Sequence, residues 1–266
     1  MIPNILSIAG SDPSGGAGIQ ADIKAISANG GYAMAAITGL TAQNTQGVTA
    51  VELVSNEMIE AQIRAIRADI RIDAIKIGML GDAGVIETVA KALDGLNVPL
   101  VLDPVMVAKG GDRLLAANSV ATLRALIVPR ATVITPNLPE AADLLGNAEA
   151  TDLETMRAQG SALLALGPKA VLIKGGHLAD DEATDLLLTA DGETQLSAPR
   201  TKTKNTHGTG CTLSSALATQ IGLGHDLAEA ARRAKSYISK AIAAADELDV
   251  VHGHGPVHHF HSQLNA

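Results

Sequence analysis

Ala74-Ile75-Lys76-Ile77-Gly78-Met79-Leu80 is a short apolar run, Ala83–Asp94 follows with helical spacing, and Pro99-Leu100-Val101-Leu102-Asp103-Pro104-Val105 is apolar again. Runs of this length suit strands covered on both faces. The strand–helix–strand order calls for a parallel pair joined by a right-handed crossover. The alternation extends in both directions. Strands are expected at Asn4–Gly10, Tyr32–Leu40, Val48–Val54, Thr132–Pro136 and Ala170–Lys174. Helices are expected at Gly18–Asn29, Asn56–Asp69, Ala116–Ile127, Pro139–Leu145, Leu153–Leu166, Gly208–Gly222 and Leu227–Asp246. The pattern predicts an α/β fold, a doubly wound and mostly parallel sheet with helices on both faces. One stretch departs from it. Asp185–Ala190 and Glu193–Ala198 flank Asp191-Gly192, a strong turn signal, so a small antiparallel hairpin is expected at one sheet edge. Neither a repeat nor a Pro- or Ser-rich linker interrupts residues 1–266, and a single domain is expected.

Composition narrows the function. Hydrophobic residues make up 47% of the chain, which supplies a large core, yet Tyr32, Tyr237 and Phe260 are the only aromatics. Base stacking therefore has almost nothing to work with, and the net charge of −8 gives no basic footprint, so a nucleic-acid partner is not expected. Cys211 is the lone cysteine, so no internal disulfide can form, as suits a reducing compartment. No stretch approaches the roughly 18 apolar residues of a membrane span, and the start of the chain has no leader pattern. A cytoplasmic location without membrane contact is expected.

In a parallel sheet, ligands gather at the carboxyl ends of strands. There the sequence places Gly10-Ser11-Asp12-Pro13, Gln43-Asn44-Thr45, Gly78-Met79, Asp103-Pro104, Pro136-Asn137 and Lys174-Gly175-Gly176. Asn205-Thr206-His207-Gly208-Thr209-Gly210-Cys211-Thr212 then enters a helix. Two glycines allow a tight turn and close backbone approach, and the helix behind them aims free N–H groups forward, which makes an anion site. A plain capped turn is the competing reading. No GxxxxGK[ST] occurs, so a Walker-type site is excluded. Gly16-Ala17-Gly18-Ile19-Gln20-Ala21 only resembles a dinucleotide fingerprint, lies beyond the first strand's immediate turn, and lacks the acidic residue about 20 positions on. Asp103 suits a magnesium ligand or a loop cap. Glu140 suits water-mediated magnesium contact, and Asn137 can be a helix cap. Lys174 suits phosphate neutralisation or simple snorkelling. The histidines of the C-terminal segment have no recognisable metal spacing.

Taken in order, these segments resemble the hydroxymethylpyrimidine/phosphomethylpyrimidine kinases of thiamine biosynthesis, a ribokinase-like family. The resemblance runs through Ala9–Asp22, Thr41–Thr45, Lys76–Leu80, Leu102–Met106, Thr135–Glu140, Lys174–His177, Thr206–Thr212 and Gly253–Phe260. It implies ATP and Mg²⁺ as cofactors, a small-molecule pyrimidine substrate and a homodimer. It also implies two transfers, first to the hydroxymethyl group of 4-amino-5-hydroxymethyl-2-methylpyrimidine and then to the monophosphate. By resemblance, Gln43 and Asp22 bond the aminopyrimidine, with Met79 and Val107 along its pocket. Asp103, Asn137 and Glu140 fall on the metal side, and Lys174 lies near the phosphates. Gly208, Thr209, Gly210 and Cys211 supply the anion hole. Sugar kinases of this fold carry an aspartate base where this chain has Cys211. A helix N-terminus that favours thiolate would make Cys211 the base, with His207 as second candidate. Pyridoxal kinase activity, or ligand binding without catalysis on the same fold, are the alternatives.

Overall fold

The computed structural model describes residues 1–107, 114–176, 182–250 and 252–262. His177, the end of the Lys174 segment, lies outside the described residues. The described strands are β1 (Asn4–Ser11), β2 (Tyr32–Asn44), β3 (Gly47–Leu53), β4 (Ala74–Ile77), β5 (Leu100–Leu102), β6 (Val133–Ile134), β7 (Ala170–Lys174), β8 (Glu182–Thr189) and β9 (Gly192–Pro199). They form one sheet in the order β3-β2-β1-β4-β5-β6-β7-β8-β9. From β2 through β7 every neighbouring pair is parallel. The expected Asp191-Gly192 hairpin is β8–β9, antiparallel at one edge.

The opposite edge differs from the sequence expectation. β2 runs on to Asn44, so Gln43 sits within a strand rather than after one. β3 pairs with it antiparallel, with Gln43 opposite Val48. Only Thr45 and Gln46 join these strands, and a parallel crossover needs roughly a dozen residues. Asn44 Oδ1 accepts from the backbone N–H groups of Gln46 and Gly47 and closes the turn.

Side-chain alternation divides the core. Ile75, Ile77, Leu100 and Leu102 point to one face, where they meet α2 (Asn56–Asp69), α3 (Ala83–Ala92), α4 (Val120–Leu126), α5 (Leu138–Leu145) and α6 (Leu153–Leu164). Ala74 and Val101 point to the other, under α1 (Gly18–Ala28), α7 (Thr209–Gly222) and α8 (Leu227–Ala243). The α8 stripe of Ala230, Ala231, Ala234, Ile238 and Ala241 is buried. Small residues there let α8 lie close on α7, while each buried Ile or Leu contributes about 1.5–3 kcal/mol. Helices thus cover both faces, as the sequence requires. The chain turns to β2 on one side of β1 and to β4 on the other, which opens a crevice at the strands' carboxyl ends.

Candidate active site

A cavity of about 950 Å³ lies at those strand ends, against the first turn of α7. Gly208 caps α7 with φ 74°, and a Cβ there would stand 1.7 Å from the carbonyl oxygen of Gly16. Only glycine satisfies both constraints, so the two glycine-rich loops can close on each other. Thr209 Oγ1 donates to Thr206 O at 2.7 Å and fixes the turn. The opening N–H groups of α7 then face the cavity wall formed by Gly208, Thr209, Gly210 and Cys211.

The Gly18 amide favours the Cys211 thiolate. Burial pushes its thiol up to about 11, Asp22 and Asp103 add to that, and Lys76 opposes it. Burial thus works against the thiolate that the helix end was expected to favour, and outweighs Lys76 and the Gly18 amide, which favour it.

Lys174 ends β7 and reaches Asp103 Oδ1 at 3.0 Å and Glu140 Oε2 at 3.8 Å. Burial works against its ammonium, but Asp103 and Glu140 outweigh it and hold Lys174 above its ordinary value. Burial also pushes Glu140 up to about 7, with Asp103 adding and Lys174 opposing. Asp103 further accepts from Thr135 Oγ1 at 3.2 Å and Ser214 Oγ at 3.4 Å. Asn137 forms a capping box with Glu140: Asn137 Oδ1 accepts from Glu140 N, and Glu140 Oε2 accepts from Asn137 N, both at 2.8 Å. The cap thus ties Asn137 to Glu140, and Asp103, Asn137 and Glu140, the three residues expected on the metal side, all line the cavity. Two cavity-lining carboxylates fit Mg²⁺, which takes oxygen donors and keeps several waters.

On the other side lie Gln43, Met79 and Val107. Gln43 Oε1 is held by Thr41 Oγ1 at 3.2 Å, and Gln43 Nε2 stands 3.4 Å from His207 Nε2. Met79 packs against Gly10 and Gly39, where a Cβ would come within 2.9 and 3.1 Å of its methyl carbon. Val107 is exposed at the rim. Asp22 does not reach this wall. It is fully buried, and its carboxylate is taken up by Ser7, Lys76 and Ser215, so the expected direct pyrimidine contact is corrected.

Several site residues escaped the sequence reading. Asp12 pairs with His207 at 2.7 Å and also holds Ser14 and Ala17. Its signal was the Ser11-Asp12-Pro13 turn itself. Lys76 lines the cavity, and a lysine inside an apolar strand was its signal. Lys235 donates to Asp185 at 2.7 Å, and Asp185 accepts from Gly175 N at 3.0 Å, which pins the loop after Lys174. The C-terminal histidines serve the fold: His254 N donates to Thr45 O at 2.8 Å, and His259 Nε2 meets Thr212 Oγ1 at 3.0 Å. Among the described residues no cluster of three metal-ligating side chains occurs.

Comparison with known proteins agrees with this geometry. A family model described as phosphomethylpyrimidine kinase matches residues 12–258. The hydroxymethylpyrimidine/phosphomethylpyrimidine kinase of Escherichia coli (strain K12) is 52% identical over 260 residues, covering 97% of this chain and 98% of that one. The crystal structure of the Clostridium difficile phosphomethylpyrimidine kinase aligns with a TM-score of 0.80 at 42% identity, over 90% of this chain and 99% of that one. The ADP complex of Bacillus subtilis pyridoxal kinase aligns with a TM-score of 0.92 at 36% identity, over the whole of both chains. With the ribokinase-like sheet, the glycine-capped α7 and a match along nearly its whole length, the chain belongs to the phosphomethylpyrimidine kinase family.

Proposed function

We propose that the protein transfers the γ-phosphoryl group of Mg·ATP to the hydroxymethyl group of 4-amino-5-hydroxymethyl-2-methylpyrimidine, and then phosphorylates the monophosphate to the pyrophosphate, in thiamine biosynthesis. One observation carries the reading. A single cavity joins the glycine-capped start of α7, the Lys174–Asp103–Glu140 cluster and the Gln43–Met79 pocket.

Gln43 offers both a donor and an acceptor to an aminopyrimidine edge, and Met79 supplies an apolar floor. The amides of Gly208–Cys211 receive the charge that develops on the transferring phosphoryl, and Lys174 neutralises the nucleotide phosphates. Asp103 and Glu140 would hold Mg²⁺, which spreads phosphate charge. As the acceptor oxygen forms its bond to phosphorus, the bond to ADP breaks and the hydroxyl proton must leave. Cys211 is the assigned proton acceptor. With its thiol near 11, thiolate at pH 7 amounts to about one part in 10⁴. His207, oriented by Asp12, is the alternative acceptor.

The location is taken as cytoplasmic, and the assembly as a homodimer. Strand β3 is an open sheet edge with Val51 exposed, a surface suited to pairing with a second copy. Phosphorylation of pyridoxal is a second reading, favoured by the close structural likeness to the Bacillus subtilis pyridoxal kinase. A substrate panel tests the choice: hydroxymethylpyrimidine, its monophosphate, pyridoxine, pyridoxal and ribose, each with Mg·ATP. The highest kcat/KM should fall on the first two, and a preference for pyridoxal overturns the assignment.

A further inference from the structure

Lys76 is fully buried and is the largest such side chain among the described residues. Its strand neighbours Ile75 and Ile77 enter the core on one side of the sheet, while Lys76 turns to the side of α1 and α7. Its Nζ donates to both oxygens of Asp22 at 2.9 Å. Asp22 Oδ1 also accepts from Ser215 Oγ at 2.7 Å, one helical turn beyond Cys211, and Asp22 Oδ2 accepts from Ser7 Oγ at 2.6 Å. The carboxylate is therefore bonded twice on each oxygen. An ammonium has three donors, two of which these bonds use. Lys76 lines the cavity and Asp22 does not. Gly78 makes the room: a Cβ there would lie 2.7 Å from Nζ.

Stability alone does not account for this arrangement. Apolar replacement of a buried ion pair is often neutral or stabilising, so a pair set against a catalytic cavity invites a role there. The charged or titratable groups that act on Lys76 are Asp22 from α1, Cys211 from α7 and Asp103 after β5. We propose that Lys76 is a positioning residue for phosphoryl transfer: Asp22, Ser7 and Ser215 hold its ammonium as a fixed positive charge beneath the Cys211 turn. The ammonium keeps its own proton throughout. The acceptor oxygen bonds to phosphorus, the electron pair of the broken bond leaves on ADP, and the hydroxyl proton passes to the Cys211 thiolate. Lys76 offsets the negative charge on the thiolate before that transfer and on the acceptor oxygen as the proton leaves it. This rests on the kinase reading above, which wild-type turnover in the same assay tests separately.

Lys76→Met alone strands a buried carboxylate and is expected to unfold. The informative variant is the charge-balanced pair Lys76→Met with Asp22→Asn. Thermal melting, calorimetric binding of hydroxymethylpyrimidine and the single-turnover transfer rate should be measured on it. Melting temperature and pyrimidine Kd should stay close to wild type, while the single-turnover rate falls about 10²-fold. A rate within about threefold of wild type overturns the proposal, as does a loss confined to pyrimidine Kd. Should the double variant fail to fold, Gly78→Ala decides. It displaces the ammonium without removing either charge and should lower the same rate with pyrimidine Kd retained. A folded Gly78→Ala protein with wild-type rate overturns the assignment.

Discussion

Lys174 Nζ donates to Asp103 Oδ1 at 3.0 Å, tying the ends of β7 and β5 together across β6. The cation and the carboxylate neutralise each other here, and in the proposed complex they part, Lys174 to phosphate and Asp103 to metal. Lys174→Ala should therefore lower kcat by about 10²–10³-fold, with a smaller change in the KM for pyrimidine. Steady-state kinetics with each substrate varied in turn checks this, and an unchanged kcat would mean that the phosphate site is misplaced.

Glu140 gives a stability test with a definite sign. Burial raises its folded value to about 7, above the ordinary 4.5, so the fold favours the protonated form. The stability this contributes is fully present below about 4.5 and is lost as pH rises through 7. Glu140→Gln mimics the protonated state. In chelator, its melting temperature should gain on wild type between pH 5 and pH 8, while its apparent Mg²⁺ affinity in the kinase assay falls. An equal difference at both pH values contradicts the burial argument.

Gln43→Leu removes the hydrogen-bonding edge but keeps the approximate volume. The KM for hydroxymethylpyrimidine should rise by about 10-fold or more, and the KM for ATP should hold. A variant with unaltered pyrimidine KM would remove Gln43 from the substrate site.

Cys211 makes the sharpest demand on pH. If its thiolate takes the proton and the thiol titrates near 11, kcat should climb about tenfold per pH unit from pH 7 towards that value. Cys211→Ala should lose about 10²–10⁴-fold and flatten the slope. ATP binding should survive, since the backbone amides of α7 remain. A flat wild-type profile between pH 7 and 9 transfers the role to His207.

The parallel centre of the sheet was legible because Ile75, Ile77, Leu100, Val101 and Leu102 read as continuous apolar runs. The β8–β9 hairpin was legible from Asp191-Gly192. The β2–β3 hairpin was not drawn out, because Gln43–Thr45 was read as a ligand loop following a strand. The short gap before Val48 was the available clue against a crossover. In the site, Gly208 and Gly210 announced the α7 turn through their backbone freedom. Asp22 misled for a different reason. Its partners Ser7, Lys76 and Ser215 come from three separate elements, and no local pattern shows that together they bury it. The ionisation of Cys211 was misjudged because a helix terminus is visible in sequence, whereas burial is decided by tertiary packing.

The segment 252–262 bears on how the molecule is made. Gly253 N donates to Thr45 Oγ1 at 3.2 Å across 208 positions, and Gly255 O accepts from His207 N at 2.9 Å. These bonds fasten the β2–β3 turn and the anion loop to a stretch that is synthesised after all the described strands. A chain emerging from the ribosome can pair its sheet early, but its β2–β3 turn and anion loop lack this fastening until that stretch arrives. The two loops are therefore fastened only once residues 253–255 have been made, later than the described strands they lie beside.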